Sequence, residues 1–412
     1  MVKNQNVSPK YLFLWKKPIL PIFFLFPFFG YLPHPTVILT ATVTLVLALW
    51  LWQKRGEVLP FFASAFDSCI FLLAGAFLIS GLLTGGAGAL EGIVRALLLL
   101  FYFPARDFFK ETAQRKSTAL TFQFSGGIAA FLGIFQYFSG KAQLKWVDPS
   151  RFSDIGGRVT GGFENPNVFS VYLLLILPVS LVLFLDTRGS FLLRLLTAIC
   201  LLAELLCLVL TWSRGAWLSA LVVLTVFFFF FGKQTRRALA IAVLPLMILS
   251  FYLPHSVVNR FQSIGNLKET SIRYRLLVWE GVLRMLREHP LGIGLGQARF
   301  SERYLPYAVK GTETVIHSHQ LLLQILCELG VIGLLLFLAA LGSLFFKLLS
   351  AKSGSRLCRF GGGLGLLGAL TAGLFDNVWY HFGIFCLFWV MAALSVSGLS
   401  ADEKSEKRHF II

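Results

Sequence analysis

Two histidines at the end of the longest polar segment are the residues in this chain best suited to acid–base chemistry. The segment runs from about Pro254 to Ser318, and His317 and His319 lie where it meets a long apolar stretch. It also carries many basic residues: Arg260, Lys268, Arg273, Arg275, Arg284, Arg287, Arg299, Arg303 and Lys310. Histidine can take a proton near neutral pH, and arginine forms paired hydrogen bonds with phosphate. The combination indicates a reaction on an anionic, lipid-attached substrate at a membrane surface.

A further candidate is an arginine between two apolar stretches. Arg214 stands in the sequence Thr-Trp-Ser-Arg-Gly-Ala-Trp-Leu, a very short connection between long apolar runs. An arginine near hydrocarbon is costly unless it is paired or hydrated, so residues kept there are functional candidates by default. The alternative is that its side chain extends to lipid headgroups, which the tightness of the connection disfavours.

A shorter polar segment, 139–166, contributes two more candidates, Arg158 and Glu164. The Asn-Pro pair that follows them marks a turn, and Asn167 suits the N-cap of the next helix. Arg158 and Glu164 have no such local role, so they stay open as substrate contacts. In the longer segment, Tyr304 offers an aromatic face as a further possible contact.

The longer polar segment is itself expected to be partly helical. The stretch 271–289 predicts a helix because apolar residues recur at spacings of three and four, namely Leu276, Trp279, Val282, Leu283 and Leu286. A glycine-rich sequence, 292–296, follows, but its spacing is wrong for a dinucleotide fingerprint and no strand precedes it. It predicts a tight turn back to the membrane or a backbone surface close to a sugar.

The elements that must position these residues are membrane-spanning helices. The chain has 412 residues, of which 56% are hydrophobic and 14% charged, so we expect no soluble globular protein. Hydropathy indicates about twelve apolar runs of spanning length. They lie near 18–32, 35–53, 60–83, 88–103, 117–138, 167–185, 190–212, 215–232, 238–254, 320–348, 357–375 and 379–399. Their continuous apolar character excludes the alternation of barrel strands.

The net charge of +17 does not indicate a nucleic-acid partner, because the basic residues cluster in alternate connections between runs. This is the positive-inside pattern, and it places both termini in the cytoplasm. The segments 139–166 and 255–318 then face outward as a smaller and a large outer loop. The sequence therefore predicts one integral membrane domain, 1–412, with a long helical loop between its ninth and tenth spans and membrane lipids around it.

Several motifs resemble a known family. His319-Gln320 is followed after nine residues by Gly330 and then by Gly333, and Arg214 to Leu218 reads Arg-x-x-x-Leu. These resemble the paired signatures of the O-antigen ligase family, within the O-antigen ligase and polymerase superfamily. The stretches 160–167, 275–279 and 290–296 are also similar to that superfamily. Gln320 stands where such proteins often carry asparagine.

The resemblance implies a fold, a reaction and roles for particular residues. The fold is that of a glycosyltransferase of the C type, in a bacterial inner membrane with its active site facing the periplasm. The donor is a glycan on undecaprenyl diphosphate, and the acceptor is a hydroxyl of the lipid A-core. Transfer is inverting and needs no metal or other cofactor. His319 acts as general base, Arg214 with Arg275 or Arg273 binds the diphosphate, and His317 and Gln320 are possible substrate contacts.

Other functions remain open at this point. A polymerase that joins lipid-linked repeat units and a protein O-oligosaccharyltransferase share the donor and differ in the acceptor. A transporter of lipid-linked glycans would also have about twelve spans and outward arginines. Transporters usually show internal repeats with broken helices in matching positions, and no such repeat is evident in the sequence.

Overall fold

The computed structural model describes residues 16, 19–25, 32, 34–140, 157–186, 191–230, 262, 264, 270–351 and 355–399. The predicted span 238–254 and the segment 141–156 of the smaller loop lie outside these residues. So do two basic residues of the longer polar segment, Arg260 and Lys268.

Every regular element of the described residues is a helix. The α-helices are α1 (Ile19–Leu25), α2 (Pro35–Gln53), α3 (Ala65–Thr84), α4 (Gly86–Leu100), α5 (Tyr102–Phe108), α6 (Thr112–Phe138), α7 (Pro166–Asp186), α8 (Phe191–Leu210), α9 (Arg214–Phe230), α10 (Thr270–Glu288), α11 (Gln297–Tyr304), α12 (Leu321–Ser350), α13 (Gly363–Gly373) and α14 (Phe382–Ser397). A π-helical turn, Leu357–Gly362, leads directly into α13. The helix predicted at 271–289 is α10.

Seven of the described helical segments are long and apolar enough to cross a membrane. They are Pro35–Gln53, Ala65–Thr84, Gly86–Phe108, Thr112–Phe138, Pro166–Leu185, Phe191–Leu210 and Leu321–Ser350. Two shorter apolar helices, α9 and α14, accompany them. The predicted class, an all-α protein with several spans, is confirmed, whereas the number of about twelve and the topology stay predictions.

The packing core is formed around α14, the last described helix. Every residue from Gly383 to Ser397 is buried, and α14 packs against α4, α5, α7, α12 and α13. A helix that is apolar on all sides is one that other helices surround. The second central helix is α7, in which the run from Ser170 to Leu177 is buried. The connection that precedes α14 and the turn that precedes α7 therefore each lead into an extensively buried helix.

A break in α12 corrects the role predicted for Gly330. Two glycines three residues apart in an apolar run, Gly330 and Gly333, predict close packing between helices, but Gly330 has φ 67° and ψ −170° and interrupts the helix. Its neighbour is the glycine-rich turn after α10, because a Cβ on Gly330 would lie 2.3 Å from the carbonyl carbon of Leu291. Two backbone hydrogen bonds connect the glycine-rich turn to the break in α12. Ile293 N donates to Cys327 O at 2.7 Å, and Val331 N donates to Pro290 O at 3.0 Å.

We expect Gly330→Ala to destabilise the protein by about 1–3 kcal/mol, since this φ and ψ region is essentially limited to glycine. The clash with Leu291 adds to this cost. The measurement is the midpoint of thermal unfolding of the purified protein in detergent. Gly342→Ala in the same helix is the control, because a Cβ there meets nothing within 4 Å and alanine has the higher helix propensity. Equal midpoints for the two variants would contradict this account of the break.

Candidate active site

A pocket of about 1090 Å³ lies at the end of the bundle where α7, α9 and α10 begin. The arginines, carboxylates and histidines that line it are Arg158, Glu164, Arg214, Arg275, His317, His319, Asp376 and His381. Asn167, Arg214 and Thr270, which line it as well, lie in the first turns of α7, α9 and α10. Helix N-termini favour bound anions, so the backbone and three arginines give this pocket an anion-binding character.

His319 forms the centre of the site by pairing with Asp376. Its Nδ1 lies 3.1 Å from Oδ1 of Asp376, which belongs to the connection between α13 and α14. A carboxylate at one ring nitrogen fixes the tautomer and orientation of the imidazole. The other nitrogen, Nε2, is then the one that can accept a proton. His319 itself has φ 54°, in the left-handed region that non-glycine residues seldom adopt.

Asp376 is held as a carboxylate by several groups. Burial would raise its pKa, but the hydrogen bond with His319 and the positive charge of Arg275 outweigh burial and lower the pKa below its usual range. The second oxygen, Oδ2, accepts from Asn167 Nδ2 at 2.6 Å and lies 3.8 Å from an Arg275 nitrogen. The backbone N–H of Asn377 donates to Oδ1 at 3.0 Å. Asp376 therefore stays ionised and fixed beside His319.

His317 supports His319 without carrying charge. The backbone N–H of His319 donates to Nδ1 of His317 at 3.2 Å. The His317 ring stacks on Tyr380, with centroids 5.3 Å apart. Burial, together with the neighbouring His319, lowers the pKa of His317 to about 3, so His317 is neutral at physiological pH. Its geometry favours a role in orienting His319, and its predicted role as a substrate contact stays a prediction.

The structure distinguishes between the two arginines proposed for the second phosphate contact. Arg275 lines the pocket beside Asp376, whereas Arg273, two residues earlier on α10, is exposed and does not line it. Arg214 also lines the pocket, is 8% exposed and donates to Ser271 Oγ at 3.0 Å. Arg214 and Arg275 are therefore the pair brought together with His319.

Arg158 lines the pocket and also bonds to Asn167. Its Nε donates to Thr211 O at 2.7 Å, and an Nη donates to Asn167 Oδ1 at 2.6 Å. Asn167 in turn donates to Asp376. Arg158 therefore holds the side-chain amide of Asn167 in place, and this amide holds the carboxylate of Asp376. Glu164 lines the pocket with φ 59°, and its role as a substrate contact stays a prediction.

Two predicted substrate contacts lie elsewhere. Gln320 caps α12, because its side-chain oxygen accepts from Leu323 N, and it does not line the pocket. Tyr304 has no exposed surface and bonds to Thr312 at 2.7 Å within a small core under the loop. The sequence interpretation gave Tyr304 an aromatic face for a sugar. In the structure that face packs against Phe300.

Sequence reasoning missed Asp376, which is the partner of His319. The signal was present, because Asp376 is a lone acidic residue in a short connection between two apolar runs. The argument that singled out Arg214 applies to it equally. Tyr380 was also missed, and Asn167 was assigned only a structural role. Their position in the site depends on how α7 and α14 pack, which no local pattern reveals.

The same residues could also hold a metal ion. Ligand atoms of His317, His319 and Asp376 lie within 4.8 Å of one another. Asp376 and His319 are already hydrogen-bonded to each other, and Arg275 places a positive charge 3.8 Å from the carboxylate. A neighbouring cation opposes metal binding. The arrangement favours a hydrogen-bonded acid–base pair, and the expected absence of a metal stays a prediction.

Fold and site together define a multi-pass membrane protein with a histidine–carboxylate pair in an arginine-lined pocket. Residues 196–338 match the sequence model of a family described as O-Antigen ligase. This match confirms the resemblance to that family drawn from the motifs. The match includes Arg214, Arg275 and His319, while Asn167 and Asp376 lie outside it. Comparison with curated proteins gives no match.

Proposed function

We propose that this protein is a glycosyltransferase of the O-antigen ligase type. It moves a glycan from undecaprenyl diphosphate to a hydroxyl of the lipid A-core, on the periplasmic face of the bacterial inner membrane. Both termini are then cytoplasmic. The observation that carries the proposal is the His319–Asp376 pair, 3.1 Å apart, in one pocket with Arg214 and Arg275.

The reaction is a single displacement with His319 as general base. Nε2 of His319 takes the proton of the acceptor hydroxyl while the hydroxyl oxygen attacks the anomeric carbon of the donor sugar. The new carbon–oxygen bond forms as the bond to the diphosphate breaks, and its electron pair leaves with the diphosphate. One displacement at the anomeric carbon inverts its configuration. Asp376 stabilises the imidazolium that forms, as the carboxylate does in other histidine–acid pairs.

The leaving group is assisted by the cationic side of the pocket. Negative charge grows on the diphosphate as the bond breaks, and preorganised donors aimed at developing charge are often the largest catalytic contribution. Arg214 and Arg275 supply guanidinium groups that suit phosphate. The first turns of α7, α9 and α10 add backbone N–H groups and a favourable dipole. These groups take the place that a metal ion has in other transferases.

Cells that lack the protein provide the test. Their glycan is separated into material linked to the lipid carrier and material linked to the lipid A-core. The proposal predicts long polymer retained on undecaprenyl diphosphate together with unmodified core. Single repeats that still reach the core would instead identify a polymerase and overturn the ligase assignment. Unchanged profiles would exclude both activities. Restoration by the wild-type gene is the control.

A further inference from the structure

A chain of buried polar groups connects helix α4 with the turn that carries His319. In α4, Arg95 contacts Glu91 at 2.6 Å and Glu328 of α12 at 3.4 Å. Gln324 donates from Nε2 to Glu328 Oε1 at 2.9 Å, and its Oε1 accepts from the backbone N–H of Ser318 at 2.8 Å. Arg95, Glu328, Gln324 and Ser318 are each 5% exposed or less. These polar groups thus end at the backbone N–H of Ser318, the residue before His319.

The charges in this chain determine which way the Gln324 amide faces. A carboxylate only accepts hydrogen bonds, so Glu328, held by Arg95, requires the NH₂ end of the amide. The oxygen end is then directed at Ser318 N–H. A buried polar network is favourable only when its members are satisfied. The ion pair between Arg95 and Glu328 therefore sets the position of the Gln324 side-chain oxygen, which accepts the hydrogen bond from Ser318 N–H.

Ser318 is fixed on both sides of its position in the turn. Its N–H is held by Gln324, and its carbonyl oxygen accepts from Trp279 Nε1 of α10 at 3.0 Å. The next residue, His319, has φ 54°, a left-handed conformation that is unfavourable for a non-glycine residue. Such a conformation persists only where the surroundings over-determine it. The two bonds to Ser318 contribute to this, together with the bonds from Ser318 Oγ to Gln320 O at 2.8 Å and from His319 N–H to His317 Nδ1 at 3.2 Å.

We propose that Gln324, oriented by Glu328 and Arg95, is a positioning residue for His319. By holding Ser318 it keeps the turn in the left-handed conformation, in which Nδ1 of His319 faces Asp376 and Nε2 is available to the acceptor. Gln324 does not line the pocket, so it acts on the rate of proton transfer and not on substrate binding. This inference rests on the proposed transferase function.

The test uses full-length protein purified in detergent. The donor is lipid-linked glycan and the acceptor is lipid A-core, both extracted from cells that lack the protein. Gln324→Met keeps the size of the side chain and removes the acceptor for Ser318 N–H. Its kcat is expected to fall about 10- to 10²-fold, since small displacements of a catalytic group cost this much. The KM values for donor and acceptor are expected to stay unchanged.

Gln123→Met is the matched control. Gln123 is also fully buried and donates to a backbone carbonyl, that of Thr197 at 2.8 Å, but it lies on α6 away from the pocket. This variant is expected to keep the wild-type kcat. A fall in kcat that is equal in both variants, alongside equal losses in the thermal unfolding midpoint, would show a merely structural role and overturn the proposal.

Trp279→Phe provides a second route if Gln324→Met does not fold. It removes the donor to Ser318 O from the other side of the turn, and the same loss of kcat at constant KM is expected. Normal kcat in both variants, with His319→Ala inactive, would reject the positioning role alone. Normal kcat in His319→Ala would instead reject the proposed function. In the double variant of His319→Ala with Gln324→Met, no further loss is expected, because groups that act as a unit are not additive.

Discussion

Replacing His319 with alanine is expected to lower the turnover number for glycan transfer by about 10²- to 10⁴-fold, the usual contribution of a positioned general base. Without the imidazole the acceptor hydroxyl must lose its proton to water, while Arg214 and Arg275 still bind the donor. The KM for the donor is therefore expected to change little. The measurement is transfer of extracted lipid-linked glycan to extracted lipid A-core by the purified variant.

His289→Ala is the matched control for this prediction. His289 lies in the same loop, just after α10, and contacts the Tyr307 ring outside the pocket. It is expected to transfer glycan at the wild-type rate. If His319→Ala inserts, folds and retains wild-type turnover, the acid–base role assigned to the His319–Asp376 pair is wrong.

Replacing Arg275 with glutamine is expected to reduce transfer by about 10²- to 10³-fold, comparable to the loss of one preorganised donor at a developing negative charge. Arg275 is the cation closest to Asp376, at 3.8 Å, and it lines the pocket with Arg214. Glutamine keeps a hydrogen-bond donor but removes the charge and the fork that matches phosphate. The loss should appear mainly in kcat, because the charge develops as the diphosphate leaves.

The neighbouring Arg273 allows a stringent comparison. Arg273→Gln makes the same chemical change two residues away on α10, at an exposed position that does not line the pocket. Its transfer rate is expected to stay within about twofold of wild type, since surface substitutions have small effects. If Arg273→Gln is the more damaging variant, the assignment of the diphosphate contact to Arg275 is incorrect.

The parts of the fold that the sequence predicts are those governed by local patterns. Continuous apolar runs predict spanning helices, and the period of three and four predicts α10 (Thr270–Glu288). The pattern at Gly330 was read wrongly because hydropathy does not register a backbone break. In a helix that is otherwise apolar, Gly330 looks like a packing residue, and only its positive φ reveals the interrupted helix.

The candidate site was predicted about as far as single residues allow. Histidine and arginine were recognisable because their chemistry is unusual at a membrane surface, and five of them line one pocket: Arg158, Arg214, Arg275, His317 and His319. Asp376 was not recognised as their partner, since 57 positions separate it from His319 and only helix packing brings them together. Tyr304 was overrated because a sequence shows that a ring is present but not which way it faces.

The two bonds between the glycine-rich turn and the break in α12 have a consequence for how freely this region can vary. Both bonds use main-chain atoms only, donated by Ile293 and Val331 and accepted by Cys327 and Pro290. Every residue except proline has a backbone N–H, and every residue has a carbonyl. Side chains at these positions can therefore drift without uncoupling the loop from the membrane helix, provided that Gly330 persists and no proline replaces a donor.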